Sequence, residues 1–293
     1  MSRKMQFQCP AKVNLFLEVT GKRPDGYHKL ATIFAKINLY DVLDMTSDQS
    51  GEIKFESEFE GNDDNLVARA AKAFFKEFRI GQGVTIKLTK RIPVGAGLGG
   101  GSSDAAGTLM GLAKLYDIEL TKPRRLRLHR LATKLGADVP FFLQPGNFYL
   151  GTGIGDKLKE IQVKHSLPYM ILAYPNIHVS TPDSYKALTL PDRKERLTRL
   201  SQLNRLLLSL KNGRPVEDWA PLLFNRLEQA HLPALEHVAR ARSILERLGL
   251  KGVRMSGSGS SVFGFVGSHA EGERALKRLQ GYPWQVFLTS CHG

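Results

Sequence analysis

The stretch Ile92-Pro93-Val94-Gly95-Ala96-Gly97-Leu98-Gly99-Gly100-Gly101-Ser102-Ser103-Asp104-Ala105 decides the reading of this 293-residue chain. Five of the seven positions from 95 to 101 are glycine, and two serines and an aspartate follow. Leu109, Leu112, Ala113 and Tyr116 recur at helical spacing and predict a helix over 102–116. The glycines therefore run straight into a helix N-terminus. Backbone N–H groups there lack intrahelical partners, and residues without a Cβ let an anion approach them. A phosphate group is the natural guest.

Two familiar phosphate loops do not fit. A Walker A loop closes its glycine run with Lys-Ser/Thr, whereas this one closes with Ser102-Ser103 and has no lysine inside it. Gly95, Gly97 and Gly100 satisfy the dinucleotide pattern G-x-G-x-x-G, but that pattern follows a strand buried on both faces. Here the preceding segment, Val84-Thr85-Ile86-Lys87-Leu88-Thr89-Lys90, alternates apolar with polar, so one of its faces is wet. It reads as part of an antiparallel sheet that carries a phosphate loop.

Bulk properties narrow the setting. The length suits one large or two medium domains, and 42% hydrophobic residues suffice for packed cores. The net charge of +14 fits a polyanionic partner, nucleotide or nucleic acid. Much of that charge lies within 122–130 and 193–205 at helical spacing among leucines, as on solvated helix faces, and 193–205 contains no aromatic residue to stack on bases. Cys9 and Cys291 alone provide neither a disulfide framework nor a metal-spaced pair. The first seven residues lack the apolar core of a signal peptide, and no run approaches 18 apolar residues, so a soluble cytoplasmic chain is expected.

Along the chain, Ala11, Val13, Leu15, Leu17 and Val19 alternate with Lys12, Asn14, Phe16 and Glu18, which predicts a half-buried strand. A turn at Pro24-Asp25-Gly26 and a return over 33–39 follow, then a helix over 66–78 capped by Asn65. A helix over 124–134 ends at Gly136, and strands are expected near 147–150 and 169–173. The charged segment 189–216 includes a basic helix. Beyond it lie a helix over 225–249, strands near 253–255, 262–266 and 284–288, and a helix over 269–279. The second half thus reads as an α/β sandwich.

Three weaker signals accompany the glycine loop. Period-two geometry puts Lys12 and Asn14 on one strand face, about 7 Å apart; read locally, a solvent face explains them as simply as a site. Asp138, in Gly136-Ala137-Asp138-Val139-Pro140, suits a helix N-cap or a general base. The small-residue run Ser256-Gly257-Ser258-Gly259-Ser260-Ser261 suits a turn or a second phosphate-facing wall.

Together, Pro10-Ala11-Lys12-Val13-Asn14-Leu15, the run from Pro93 to Ser103, and Met255-Ser256-Gly257-Ser258-Gly259 resemble the three motifs of the GHMP kinase superfamily, in order and at suitable spacing. Ala11-Lys12-Val13-Asn14-Leu15-Phe16-Leu17, Gly26-Tyr27-His28, Leu39-Tyr40-Asp41 and Leu135-Gly136-Ala137-Asp138-Val139-Pro140-Phe141-Phe142 are most similar to the branch that acts on cytidine-diphosphate methylerythritol. The resemblance implies an α+β, two-domain GHMP kinase fold. Residues 1–160 would form a domain like the second domain of ribosomal protein S5, and 161–293 a ferredoxin-like α/β sandwich. It implies ATP-dependent phosphorylation of the substrate's 2-hydroxyl in the non-mevalonate route to isoprenoid precursors, with Asp138 as base and Lys12 as its partner.

The same carry-over gives ATP binding to Pro93, Val94, Gly95, Ala96, Gly97, Leu98, Gly99, Gly100, Gly101, Ser102 and Ser103, flanked by Gly257 and Gly259. Asn14, Tyr27, His28, Thr181 and Tyr185 would hold the acceptor, with Tyr27 or Tyr185 stacking on the cytosine. Mg2+ should accompany ATP; its protein ligand is not assigned, Ser103 being a candidate by family analogy. A weak carboxylate base suffices, because phosphoryl transfer passes through a loose transition state that asks for little early proton removal. The partner expected is a small molecule, with no specific nucleic acid and no membrane, and the chain is expected to be a monomer or weak homodimer. Two rivals are a homoserine- or mevalonate-type kinase of the same superfamily and a basic nucleic-acid-binding protein.

Overall fold

The computed structural model describes residues 2–57, 65–230 and 235–291. In chain order the elements are β1 (Lys4–Lys22), β2 (His28–Asp48), β3 (Ile53–Ser57), α1 (Leu66–Phe78), β4 (Gly83–Thr89), α2 (Gly100–Leu115), α3 (Lys122–Leu135), α4 (Val139–Phe142), β5 (Phe148–Gly153), β6 (Lys157–Glu160), β7 (Met170–Tyr174), α5 (Thr181–Lys186), α6 (Arg193–Lys211), α7 (Val216–Trp219), β8 (Phe224–Asn225), α8 (Leu235–Arg247), β9 (Lys251–Met255), β10 (Val262–Phe265), α9 (His269–Leu279) and β11 (Gln285–Thr289). They fall into two compact units. One comprises Met1–Ala11, Leu39–Val94 and Gly99–Pro145; the other comprises Lys12–Asn38, Gly95–Leu98 and Gly146–Gly293.

In the first unit, β4 pairs antiparallel with the end of β2, Val42 opposite Thr89, and parallel with β3, Ile53 opposite Val84. Its alternation puts Val84, Ile86 and Leu88 into the core and leaves Lys87 exposed, as the sequence predicts. This mixed, one-side-wet sheet excludes the dinucleotide-binding reading. Asn65 caps α1 by accepting from the Val67 N–H at 2.9 Å, and Arg79 ends the helix in the left-handed region. Val67, Ala70, Ala71 and Phe74 of α1 pack with Ala105, Ala106, Leu109 and Leu112 of α2 and with the strands in one apolar cluster. The glycine loop's helix is thus anchored in a dry core.

The second unit contains a four-stranded antiparallel sheet in the order β11-β7-β10-β9. Numbered among themselves these strands run 4-1-3-2, with α8 between the first and second and α9 between the third and fourth. That is the split βαβ arrangement of a ferredoxin-like fold. Val238, Ala241 and Leu245 of α8 and Ala275 and Leu279 of α9 share its core with Ile171, Val253 and Val262. Residues 12–22 of β1 pair parallel with β8 through Phe16 and Phe224, and β2 pairs antiparallel with β5.

Two expectations are corrected. Residues 11–19 of β1 are not half-buried: Lys12, Asn14, Phe16 and Glu18 are as buried as the apolar residues between them. Glu18 is covered because both its carboxylate oxygens are held by Arg226, at 2.8 and 2.6 Å. The helix expected over 225–249 is broken. Asn225 instead caps a 3-10 turn over Arg226–Gln229, accepting from the Leu227 N–H, and α8 covers Leu235–Arg247; residues 231–234 of that expected helix lie outside the described residues. Elements β3, β6, α5 and α7 carried too short a pattern to be read.

Candidate active site

Lys12 occupies the second unit at 4% exposure. Its backbone N–H donates to Leu98 O at 2.9 Å, and its Nζ donates to Gly97 O at 2.9 Å and Asn14 Oδ1 at 2.6 Å. Asn14 in turn donates to Thr32 Oγ1, which donates to Phe16 O. The ammonium is therefore held by a chain of buried hydrogen bonds, and the solvent-face reading of this strand is overturned. Gly97 O also accepts from Ser256 Oγ at 3.0 Å, and Ala96 O accepts from the Ser261 N–H at 3.2 Å. Three stretches far apart in sequence, around Lys12, Gly97 and Ser256, meet at one carbonyl.

Glycine is required twice in this knot. Gly97 has a φ of +75°, and a Cβ there would overlap Ser256 O. Gly257 has a φ of +56°, and a Cβ would press to 3.0 Å against both Gly97 O and Lys12 Nζ. Asn225 steadies the same loop, its Nδ2 donating to Met255 O and Gly257 O at 2.9 and 2.8 Å. Thr181 and Ser258 share a hydroxyl hydrogen bond at 2.8 Å. His28 and Tyr185 stack at 5.1 Å, whereas the Tyr27 ring is 60% exposed. Burial lowers the His28 pKa, with Lys22 adding to it, so the neutral imidazole is favoured.

In the first unit, Gly99 caps α2 in the left-handed region, and the Ser103 N–H bonds back to Gly99 O. Ser103 is 1% exposed, yet its Oγ has no hydrogen-bond partner; in the other unit the same is true of buried Ser261 Oγ. Buried hydroxyls without partners are uncommon. Each of the two, taken by itself, is a donor open to a ligand's acceptor oxygen. Asp138 stands at the N-cap position of α4, but its side chain makes no capping bond there. The capping reading of Asp138 therefore does not account for it. Among the described residues no group of three or more His, Cys, Asp or Glu is placed to hold a metal ion.

Several of these residues were missed from sequence. Asn225 and Thr32 act through hydrogen bonds to groups remote in sequence that no local pattern announces, and Glu18 and Arg226 are 208 positions apart.

A lysine-backed glycine loop on this fold belongs to a kinase of small molecules, and the family models agree. The GHMP kinase N-terminal domain matches residues 65–146 and the GHMP kinase C-terminal domain matches 203–283. The chain belongs to the GHMP kinase family and is an ATP-dependent phosphotransferase of that family.

Its relatives narrow the branch. It is 39% identical over 275 residues to the 4-diphosphocytidyl-2-C-methyl-D-erythritol kinase of Prosthecochloris aestuarii, covering 92% of this chain and 91% of that one. It is 40% identical over 285 residues to the kinase of the same name from Citrifermentans bemidjiense, covering 94% and 95%. A crystal structure of a 4-(cytidine 5'-diphospho)-2C-methyl-D-erythritol kinase superposes with a TM-score of 0.81 at 36% identity, covering 99% of this chain and all of that one. Homoserine kinase from Cytophaga hutchinsonii, at 19% identity and a TM-score of 0.76, shares the fold. The two-domain GHMP fold and the family read from the three motifs are both borne out.

Proposed function

We propose that this chain transfers the γ-phosphoryl group of ATP to the 2-hydroxyl of 4-diphosphocytidyl-2-C-methyl-D-erythritol, a step of the non-mevalonate route to isoprenoid precursors. The observation that carries the reading is the convergence of Lys12 Nζ and Ser256 Oγ on Gly97 O. It fixes a cation and a phosphate loop together, on a chain whose close relatives bear that kinase's name.

The roles follow from the chemistry. The loop from Pro93 to Ser103, with Gly257 and Gly259 beside it, offers N–H and hydroxyl donors to the phosphates. Asp138 accepts the proton of the acceptor hydroxyl as the new P–O bond forms and the bond to ADP breaks. Lys12 is its cationic partner. Asn14, Thr181 and His28 present polar edges to the acceptor, and the exposed ring of Tyr27 is the better placed of the two tyrosines for stacking on cytosine, since Tyr185 already stacks on His28. ATP would supply the phosphoryl group and Mg2+, when bound, charge neutralisation; Ser103 Oγ, buried with no hydrogen-bond partner, would serve as a donor to phosphate or a ligand to the ion. We assign 1–160 and 161–293 as the two functional domains, and place the enzyme in the cytoplasm as a monomer or weak homodimer; among the described residues no helix is long and apolar enough to cross a membrane.

The test is ADP release with Mg-ATP against the cytidylyl substrate, its uncytidylylated monophosphate, homoserine and mevalonate. Turnover confined to the cytidylyl compound is expected. Turnover on homoserine or mevalonate instead would keep the kinase and discard this acceptor.

A further inference from the structure

Behind the glycine loop lies a cluster of buried charges that the phosphoryl-transfer scheme does not use. Asp41 on β2 is fully buried, and its Oδ1 accepts from the N–H groups of Arg91 and Ile92 at 2.6 and 2.8 Å. Those two residues lead into the loop. Lys90 Nζ donates to Asp41 Oδ2 and, at 2.7 Å, to Asp104 Oδ2 on α2, the helix into which the loop exits. The side chains of Lys90, Asp41 and Asp104 are 10%, 0% and 3% exposed. One lysine therefore ties the entry of the loop to its exit, within a single compact unit.

Two carboxyl groups share one ammonium in a nearly dry setting. Burial pushes Asp104 up to about 7, with Asp41 adding to it and Lys90 opposing. Burial disfavours the Lys90 cation, but the two carboxylates outweigh that and hold its pKa above the usual range. The neighbouring Cys9 thiol is also pushed up, by burial first and then by Asp104 and Asp41. Lys90 therefore has two tasks: it holds the loop ends and offsets the carboxyl charge buried under them.

We propose that Asp41, Lys90 and Asp104 are positioning residues for the ATP loop, an ion-paired staple that fixes the loop's entry and exit in one geometry before the nucleotide arrives. The staple rests on the reading of 93–103 as the ATP loop. It acts through the backbone at Arg91 and Ile92 and through Asp104 in the first turns of α2.

The experiment compares steady-state kinetics of wild type, Asp104→Asn, Lys90→Met and the double variant, varying ATP and acceptor separately. Asp104→Asn keeps the side-chain shape, so it carries the test if Lys90→Met does not fold. We expect KM for ATP to rise about tenfold or more in Lys90→Met, the equivalent of one tenfold step in affinity. A smaller rise is expected in Asp104→Asn, with KM for the acceptor nearly unchanged in both. The double variant tests whether the two side chains act as one unit: its KM for ATP should rise no further than that of Lys90→Met alone. Folded variants whose two KM values move together, or whose KM for ATP does not move, would overturn the staple. Wild-type enzyme that shows no saturable use of ATP would instead overturn the loop assignment beneath it.

Discussion

At Gly97 a single carbonyl accepts from an ammonium and a hydroxyl on two other stretches of the second unit, and only a residue without a side chain can present it there. Gly97→Ala places a Cβ against Ser256 O at a φ of +75°. The loop must shift, and Lys12 loses its backbone anchor. We expect kcat/KM for ATP to fall by about 100-fold, as misplacement of a positioned group by about an ångström does, while circular dichroism stays native. An unchanged kcat/KM would show that the knot is not the site. Lys12→Ala and Asp138→Asn argue the chemistry instead. Each should lower kcat by about 10²- to 10⁴-fold, the usual worth of a positioned proton-transfer group. ATP-analogue affinity, read by titration calorimetry, should largely survive. Near-normal turnover in either variant would remove that residue from the mechanism.

The loop between β9 and β10 is shaped by a residue outside it. Asn225, 1% exposed on β8, donates to Met255 O and Gly257 O and accepts from the Leu227 N–H. Asn225→Ala strands these backbone groups in a dry place, at about 1–3 kcal/mol for each left unsatisfied. We expect a clear fall in the urea midpoint together with a raised KM for ATP; a stability loss with KM unchanged would confine Asn225 to folding. This element also shows what could be read in advance. The Ser-Gly run and the glycine loop were legible because their backbone demands leave a compositional mark, and α1, β4 and α9 because burial on one face leaves a period. β1 misled for a physical reason. Its polar positions are buried by partners as remote as Arg226, and a period-two pattern reports polarity, not exposure. The helix expected over 225–249 failed because Asn225 spends its side chain on capping a turn, which no local apolar spacing reveals.

For the whole molecule, charge is the property that most invites a wrong reading. The excess of +14 would suit a nucleic-acid binder, yet Arg124, Arg125, Arg127 and Arg130 on α3 and Arg193, Lys194 and Arg205 on α6 are solvent-exposed helix-face residues. Reversing two of them, Arg125→Glu with Arg130→Glu, should leave kcat/KM within about twofold, as surface changes away from a site do, and should weaken any salt-sensitive adsorption to duplex DNA. A large kinetic effect would bring the basic face into the function. A buried charge behaves differently. Lys36 is 7% exposed, and burial lowers its pKa to about 8. Below pH 8 both folded and unfolded chains carry that proton, so folding buries the charged form. Between about 8 and the ordinary value of 10.5 the unfolded chain holds the proton while the folded chain has lost it, so this residue's contribution makes stability rise with pH. Lys36→Met removes the effect. The variant should be more stable than wild type at pH 7, by at most about 3 kcal/mol on the scale of 1.36 kcal/mol per pKa unit. The gap should narrow steadily in urea titrations from pH 8 to pH 10. A gap that does not change with pH would mean that the Lys36 ammonium stays charged in the folded protein, held by its surroundings against the cost of burial.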